Sequence, residues 1–229
     1  MFFSNLYKSK FNCNFMFKEL DYLKNSYEAR KGIIKSRLEY FKSVSNEDNK
    51  RLFAELCFCL LTPQSKAKIC DKAIQNLVKT GFLYNGKEND VKDYLIGVRF
   101  ANNKSRYILE ARNLFTENGE LKVKEKILNL GTSEDMRNWL FENVKGMGLK
   151  ESAHFLRNIG IYENLTILDR HILKNLNKHG VIDEIPNPLS KKQYLEIEKK
   201  FLEFAKEINI PTEELDLLFW SEQTGEVFK

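Results

Sequence analysis

The sequence predicts an all-α fold, and three observations support this prediction. Apolar residues recur at spacings of three, four and seven along nearly the whole chain, as they do on one face of an amphipathic helix. No segment shows the convincing alternation of apolar and polar residues that is typical of a strand. The 229 residues contain no low-complexity linker and no internal repeat. We therefore expect one compact body of roughly nine helices.

The first three helices are predicted from apolar spacing and from their end signals. A long amphipathic helix covers residues 20–41, and a second follows a capping-box-like start at residues 45–48. The second helix becomes increasingly apolar up to Leu61 and stops at Pro63, so we expect it to be central and buried. The third follows Ser65 and ends near Gly81.

The later helices are separated by glycines, prolines and N-cap residues. Gly160 and Gly180 each follow a short helix as a usual C-cap. Two prolines exclude a helix from residues 181–188. The remaining helices are predicted at residues 104–115, 132–144, 150–159, 169–179 and 190–208, with a last one starting at Thr212.

Composition and charge restrict the classes of protein. The chain is 42% hydrophobic and 30% charged, which is ordinary for a globular protein and argues against global disorder. Its net charge of +5 is compatible with a nucleic-acid partner. No segment approaches the ~20 apolar residues that span a bilayer, so no membrane is expected. The N-terminus lacks a signal-peptide core, and we interpret residues 1–15 as an N-terminal extension, with Met16 as an alternative start.

The cysteines indicate buried thiols. Cys57 and Cys59 lie in an apolar run, and their C-x-C spacing is not the C-x-x-C spacing of zinc sites. Cys13 and Cys70 complete the set, so the C-terminal part has no cysteine to ligate an iron–sulfur cluster. We therefore predict no metal site among these residues and a reducing, cytoplasmic setting.

Residues 144–153 carry the motif with the clearest chemical meaning. A helix ends, Gly146 and Gly148 form a tight turn with Lys145 before it, and a second helix begins at once. Glycines leave the backbone open, so the N–H groups at the next helix start can bind a phosphate. The alternative, a generic connection between two helices, is less consistent with the apolar and small residues that flank the turn.

This segment closely resembles the helix-hairpin-helix of the DNA glycosylase superfamily. In its bifunctional members a lysine follows the hairpin and an aspartate comes about twenty residues later; here these are Lys150 and Asp169. The run from Lys150 to Gly160 is similar to the archaeal-type 8-oxoguanine DNA glycosylase/AP lyase family, over about residues 16–229. The resemblance implies two packed helical lobes with a DNA cleft between them. We expect residues 16–60 and 181–229 in one lobe and residues 61–180 in the other.

The resemblance extends to further site residues. Gln64 would enter the space that a flipped base leaves, although an ordinary exposed loop residue is nearly as plausible. The base pocket would include Phe100, Asp216, Trp220 and Lys229. Trp220 has an alternative role as a core aromatic. His154 resembles the histidine of the family, and a structural histidine is the simpler interpretation.

The implied chemistry is covalent. Lys150 would attack C1′ of the sugar, displace the base and form a Schiff base, from which β-elimination cuts the strand. Its ammonium must first lose a proton, and we expect desolvation and the helix N-terminus to lower its pKa, with Asp169 opposing them. Asp169 would stabilise positive charge on the departing nucleoside, or serve solely as a helix N-cap. Lys150 has the alternative of a surface lysine that contacts phosphate.

The expected partner is double-stranded DNA with an oxidised base or an abasic site, bound by a monomer associated with the nucleoid. No cofactor is required, although a monovalent cation could bridge hairpin carbonyls and phosphate. Two other functions stay open: a glycosylase/lyase for another oxidised base, and a non-catalytic helix-hairpin-helix protein that binds DNA.

Overall fold

The computed structural model describes residues 17–228, and this part of the chain is almost entirely helical. The helices are α1 (Leu20–Val44), α2 (Asn49–Leu61), α3 (Ala67–Thr80), α4 (Phe82–Asn85), α5 (Glu88–Asp93), α6 (Ala101–Phe115), α7 (Val123–Ile127), α8 (Ser133–Asn143), α9 (Leu149–Asn158), α10 (Arg170–Lys178), α11 (Lys191–Ile208) and α12 (Thr212–Thr224). Strands β1 (Thr116–Glu117) and β2 (Glu120–Leu121) pair antiparallel between α6 and α7. The all-α prediction is confirmed.

The predicted helices are present, but α2 begins after Asp48 without the expected capping box from Ser45, which instead ends α1. Asp48 caps α2 by accepting a 2.8 Å hydrogen bond from the Arg51 N–H. Ser190 and Gln193 form a capping box at the start of α11. Helix α2 is buried along almost its whole length, as predicted. Its thiols Cys57 and Cys59 are buried, which confirms that interpretation.

The prediction missed the shortest elements. Helices α4, α5 and α7 have four to six residues, too few to display a helical period. The β-hairpin has strands of two residues, also too short to show alternation. Its turn nonetheless carries a recognisable signal, Asn118-Gly119, with φ of 51° and 82° as a type I′ turn requires.

Two hydrophobic cores organise the molecule. Helices α2 to α9 build the first core, whose largest buried side chains include Phe53, Phe58 and Phe155. Helices α1, α10, α11 and α12 build the second core around Phe201 and Phe219. Helix α9 contributes to both, because Leu149 at its start packs in the second core and its later residues pack in the first.

The expected division of the chain differs from these cores in two helices. We placed α2 with the C-terminal residues and α10 with the hairpin, whereas α2 packs in the first core and α10 in the second. Pro63 and Gly180 are the helix end signals near the two expected lobe boundaries. Each follows the end of a helix, but neither marks the limit of a hydrophobic core. The expected N-terminal extension, residues 1–15, lies outside the described residues.

A buried ion pair joins the two cores. The guanidinium of Arg137 on α8 donates to Glu198 on α11 at 2.6 Å. The same carboxylate accepts from the backbone N–H and the hydroxyl of Thr166, at 3.0 and 3.1 Å. This contact fixes the extended segment that leads to α10. No helix within residues 17–228 is both long enough and apolar enough to cross a membrane.

Candidate active site

A cavity of about 590 Å³ lies where the two cores meet. Its walls come from the loop after α2, the start of α3, helix α9, the start of α10 and helix α12. The cavity brings together six of the residues predicted from the sequence, Gln64, Lys150, His154, Asp169, Asp216 and Trp220. Its size is typical of a site for a small molecule or a single base.

The hairpin places Lys150 at the mouth of this cavity. Gly146 has a φ of 90°, and a Cβ there would lie 2.4 Å from the Tyr107 ring, so the turn requires glycine. Gly148 then caps α9 in extended conformation, and Lys150 is the second residue of the helix. Leu149 is anchored in the second core. The Lys150 side chain is 27% exposed, which leaves it accessible from the cavity.

Glu151 controls the charge of Lys150. One of its carboxylate oxygens, Oε1, lies 2.9 Å from Lys150 Nζ, and the other, Oε2, accepts a 3.2 Å hydrogen bond from the Gly148 N–H. Burial is the largest single influence on Lys150 and lowers its pKa, but Glu151, followed by Asp169, outweighs it, so the pKa is raised. Our expectation of a lowered pKa is therefore wrong for the protein without DNA, because we did not consider Glu151.

Asp169 is the N-cap of α10. Its Oδ1 accepts hydrogen bonds from the N–H groups of His171 and Ile172, at 2.7 and 2.8 Å. The residue is half-buried and lines the cavity, so one carboxylate both caps the helix and faces the site. Ile167 packs in the first core and Leu168 in the second, which holds Asp169 at their junction.

A buried ion pair forms the inner wall. Arg157 on α9 donates to the Asp216 carboxylate on α12, and both side chains line the cavity. Burial raises the pKa of Asp216 to about 6; Arg157 opposes this shift and Asp169 adds to it. The Asp216 carboxyl group thus titrates close to neutrality.

Two aromatic side chains close the C-terminal side. Trp220 is half-buried at the cavity, and its ring stacks on that of Phe228 with centroids 6.3 Å apart. His154 is nearly buried, one turn after Lys150, with its ring edge-on to Phe58 at 5.7 Å. Trp220 thus packs on an aromatic neighbour and also lines the cavity, and its role toward a base stays a prediction.

The loop that carries Gln64 is held by a buried lysine that sequence reasoning missed. Lys104 Nζ donates to the carbonyls of Leu61 and Pro63, each at 2.7 Å, and to the Ser65 hydroxyl at 3.1 Å. Burial, the largest influence on this ammonium, lowers its pKa. Gln64 has a φ of 56°, unusual for a residue with a side chain, and Lys104 stabilises the loop around it.

Three comparisons with known proteins bear on this site. The family model described as "8-oxoguanine DNA glycosylase" (Ogg-HhH) matches residues 34–210, which is more than half of the chain. The chain belongs to this 8-oxoguanine DNA glycosylase family. The match spans the hairpin, Lys150 and Asp169 and ends before α12, which carries Asp216 and Trp220.

Relatives support the same assignment over most of the chain. The 8-oxoguanine DNA glycosylase/AP lyase of Fusobacterium nucleatum is 46% identical, covering 89% of this chain and 94% of that protein. The enzyme of the same name from Methanocaldococcus jannaschii is 39% identical over 93% of this chain and 99% of the relative.

Solved structures of 8-oxoguanine DNA glycosylases have the same fold as this chain. The crystal structure of the M. jannaschii glycosylase/lyase in complex with a 15mer DNA containing 8-oxoguanine matches with a TM-score of 0.81 and 34% identity. It covers 91% of this chain and all of that chain. The 8-oxoguanine DNA glycosylase of Thermotoga maritima matches with a TM-score of 0.81 and 32% identity, over 92% and 98% of the two chains.

Four residues predicted for this family site lie away from the cavity. Phe100 is half-exposed at the start of α6, with the Arg99 guanidinium 5.3 Å from its ring centroid. Lys145, Gly146 and Gly148 belong to the hairpin surface, where Lys145 pairs with Glu110 at 3.2 Å. Lys229 lies outside the described residues.

Several cavity residues were not predicted. Glu151, Arg157 and His171 line or adjoin the site, and of these only Glu151 has a recognisable signal in the sequence. Glu151 stands three residues after Gly148, the spacing of an N-terminal capping interaction. Among residues 17–228, no group of three or more His, Cys, Asp or Glu side chains could hold a metal ion.

Proposed function

We propose that this chain removes 8-oxoguanine from double-stranded DNA and then cuts the strand as an AP lyase, with Lys150 as nucleophile. The observation that carries the proposal is the convergence of Lys150 and Asp169 on one cavity at the junction of the two cores. Both stand at helix starts, where backbone hydrogen bonds and packing fix their positions. The names of the relatives with similar sequences agree with this activity.

The reaction begins with extrusion of the damaged nucleotide into the cavity, at a cost of a few kcal/mol for unstacking. The uncharged Lys150 amine attacks C1′ of the sugar and the bond from C1′ to N9 of the base breaks. The amine and the sugar then form a Schiff base, and β-elimination cleaves the 3′ phosphate ester. The N–H groups at the hairpin would bind a backbone phosphate near the lesion.

Asp169 acts through its charge. Positive charge develops on the sugar as the base departs, and a carboxylate held in a cavity that DNA covers stabilises it strongly. The two hydrogen bonds from the start of α10 orient Asp169 before the substrate arrives. Its capping role and its catalytic role therefore use the same geometry.

The base would lie against α12. The Trp220 ring offers a stacking surface, and the Asp216 carboxylate can accept hydrogen bonds from N–H groups of the base. Phe100 does not line the cavity, and its contact with the base stays a prediction. Lys229 stays a prediction, as do the roles of Gln64 and His154.

Other parts of the proposal also stay predictions. These are the monomeric state, the cytoplasmic location, the absence of a required cofactor and the monovalent cation at the hairpin. Excision of a different oxidised base would use the same Lys150 and Asp169, so it is the second candidate. A non-catalytic DNA-binding protein would require neither residue in a cavity.

A comparison of substrates tests the proposal. The protein is incubated with duplexes that carry 8-oxoguanine, an oxidised pyrimidine, an abasic site or no lesion, and base release and strand cleavage are scored separately. We expect release of 8-oxoguanine and cleavage at both the 8-oxoguanine and the abasic site. Preferential release of the pyrimidine would select the second candidate, and binding without either activity would contradict the proposal.

A further inference from the structure

We propose that Glu151 is the proton acceptor for Lys150, and that the proton passes within this pair when DNA covers the cavity. The inference rests on the proposed function, because it concerns the step that precedes attack on the sugar. An ammonium has no electron pair to donate, so a group must take its proton before C1′ can be attacked.

The geometry of Glu151 suits this task. Its Oε1 is 2.9 Å from Lys150 Nζ, a hydrogen-bond distance along which a proton can move directly. Its Oε2 is fixed by the Gly148 N–H at 3.2 Å, and the residue is 9% exposed. The carboxylate is therefore bound to the hairpin backbone through one oxygen while the other faces the lysine.

The other carboxylates near the lysine are less suited. Asp169 forms no ion pair with Lys150, and its Oδ1 already accepts two backbone hydrogen bonds. Asp216 is bound to Arg157. Glu226, after α12, is paired with Lys68 at 2.7 Å. The charged and titratable groups that face the pair or share its cavity are Cys59 on α2, Lys66 and Lys68 at the start of α3, Lys104 on α6, His154 and Arg157 on α9, Asp169 and His171 at α10, Tyr194 on α11, Asp216 on α12 and Glu226.

Binding of DNA over the cavity favours the proton transfer from Lys150 to Glu151. In the uncovered protein, water and the pair itself favour the ionic form, ammonium and carboxylate. Removal of water penalises both charges, which brings the uncharged form, amine and carboxylic acid, closer in free energy. One proton moves from Nζ to Oε1. The nitrogen lone pair then bonds to C1′, and the base leaves with the electron pair of its C1′–N bond as an anion that takes a proton from water.

This mechanism has a kinetic signature. Transfer within the pair neither takes up nor releases a proton, so the uncharged form is equally populated at all pH values between the two pKa values of the pair. Without the carboxylate, Lys150 must lose its proton to solvent, and the fraction of amine then rises about tenfold per pH unit below its pKa.

The test is the pH dependence of single-turnover excision on an 8-oxoguanine duplex, with borohydride trapping in parallel. Glu151→Gln keeps an oxygen that can accept from the Gly148 N–H and removes the proton acceptor. Glu196→Gln makes the same change at an exposed lysine–glutamate pair on α11 and serves as the control. Thermal unfolding checks that each variant is folded.

The single-turnover excision rate of wild type and of Glu196→Gln should change less than about threefold between pH 6 and 8. The rate of Glu151→Gln should rise about tenfold per pH unit over the same range. If Glu151→Gln does not fold, the wild-type profile decides, because a tenfold rise per unit in wild type would overturn the inference. Parallel flat profiles in wild type and Glu151→Gln would overturn it too, while leaving the proposed function intact. Wild type without any excision would refute the proposed function itself.

Discussion

Two buried arginine–carboxylate pairs join the two cores, and they differ in what lies beside them. Arg137 and Glu198 are enclosed by α8, α11 and the segment that leads to α10, with Thr166 as the third partner. Arg157 and Asp216 instead form the wall of the cavity that holds Lys150. Burial and an ion pair are common to both, so neither property alone identifies a functional site.

The difference shows how the same chemistry serves two purposes. An enclosed pair loses much stability when one partner is removed, because the other charge stays buried without compensation. A pair at a cavity can exchange its protein partner for a ligand, and the raised pKa of Asp216 shows that its charge is already costly. We therefore expect changes at the enclosed pair to affect mainly folding and changes at the cavity to affect mainly catalysis.

The largest effect is expected at the cavity, from Asp169→Asn. Asparagine still caps a helix well, so the free energy of unfolding should change by less than about 1 kcal/mol. Loss of the charge that stabilises the departing nucleoside should reduce single-turnover excision by about two to four orders of magnitude. Retained excision together with a large loss of thermal stability would assign Asp169 to capping alone.

The next effect is expected at the enclosed pair. Glu198→Gln leaves the Arg137 guanidinium buried without a counter-charge, which should lower the free energy of unfolding by about 3–5 kcal/mol. Denaturant titration measures this loss. At a temperature where the variant is folded, excision should fall less than about tenfold, since neither residue lines the cavity. Inactivation of the folded variant would remove the distinction between the two pairs.

A smaller change in the free energy of unfolding, which depends on pH, is expected from Asp216→Asn. Because the pKa of Asp216 is raised in the fold to about 6, its contribution to stability is complete below about pH 4 and is lost as the pH rises through 6. Asparagine does not titrate. The stability of wild type relative to the variant should therefore decrease by about 2 kcal/mol from pH 4 to 6. A pH-independent difference would show that the carboxyl is not perturbed.

The smallest effect is expected at the hairpin, from Gly146→Ala. Alanine at a φ of 90° costs about 1–2 kcal/mol, and its Cβ would also displace the Tyr107 ring. Gly119→Ala is the matched control, because its φ is 82° and no atom lies within 4 Å of the added Cβ. Gly146→Ala should weaken binding to lesion and plain duplexes alike, and Gly119→Ala should not. Equal binding by both variants would argue against the hairpin as the phosphate anchor.

The sequence was sufficient to predict the long helices and the two main residues of the candidate site. Periodicity located α1, α2 and α11, whose apolar faces are long enough to repeat several times. Lys150 and Asp169 were predicted from the resemblance of the hairpin segment to the bifunctional DNA glycosylases, and the structure places both at one cavity. Their roles stay predictions until they are measured.

The rest depends on contacts between residues distant in the chain. Lys104 donates hydrogen bonds to carbonyls about forty positions earlier, and Arg157 binds Asp216 on another helix. No local sequence pattern predicts either contact. The expected lobes and the observed cores differ in α2 and α10, because a helix end and a packing boundary look alike in sequence. The contacts of Glu151 are an exception because they are local. It follows Lys150 directly, and its spacing of three residues from Gly148 is that of an N-terminal capping interaction.

Borohydride trapping on an 8-oxoguanine duplex shows whether Lys150 attacks the sugar. Reduction of a Schiff base should link wild-type protein covalently to the DNA, and mass analysis of the digested adduct should find the sugar on Lys150. Lys150→Gln should give no adduct while its affinity for the duplex falls less than about tenfold, because the hairpin amides remain. Undiminished trapping by Lys150→Gln, or a sugar attached to another residue such as Lys104, would contradict the account.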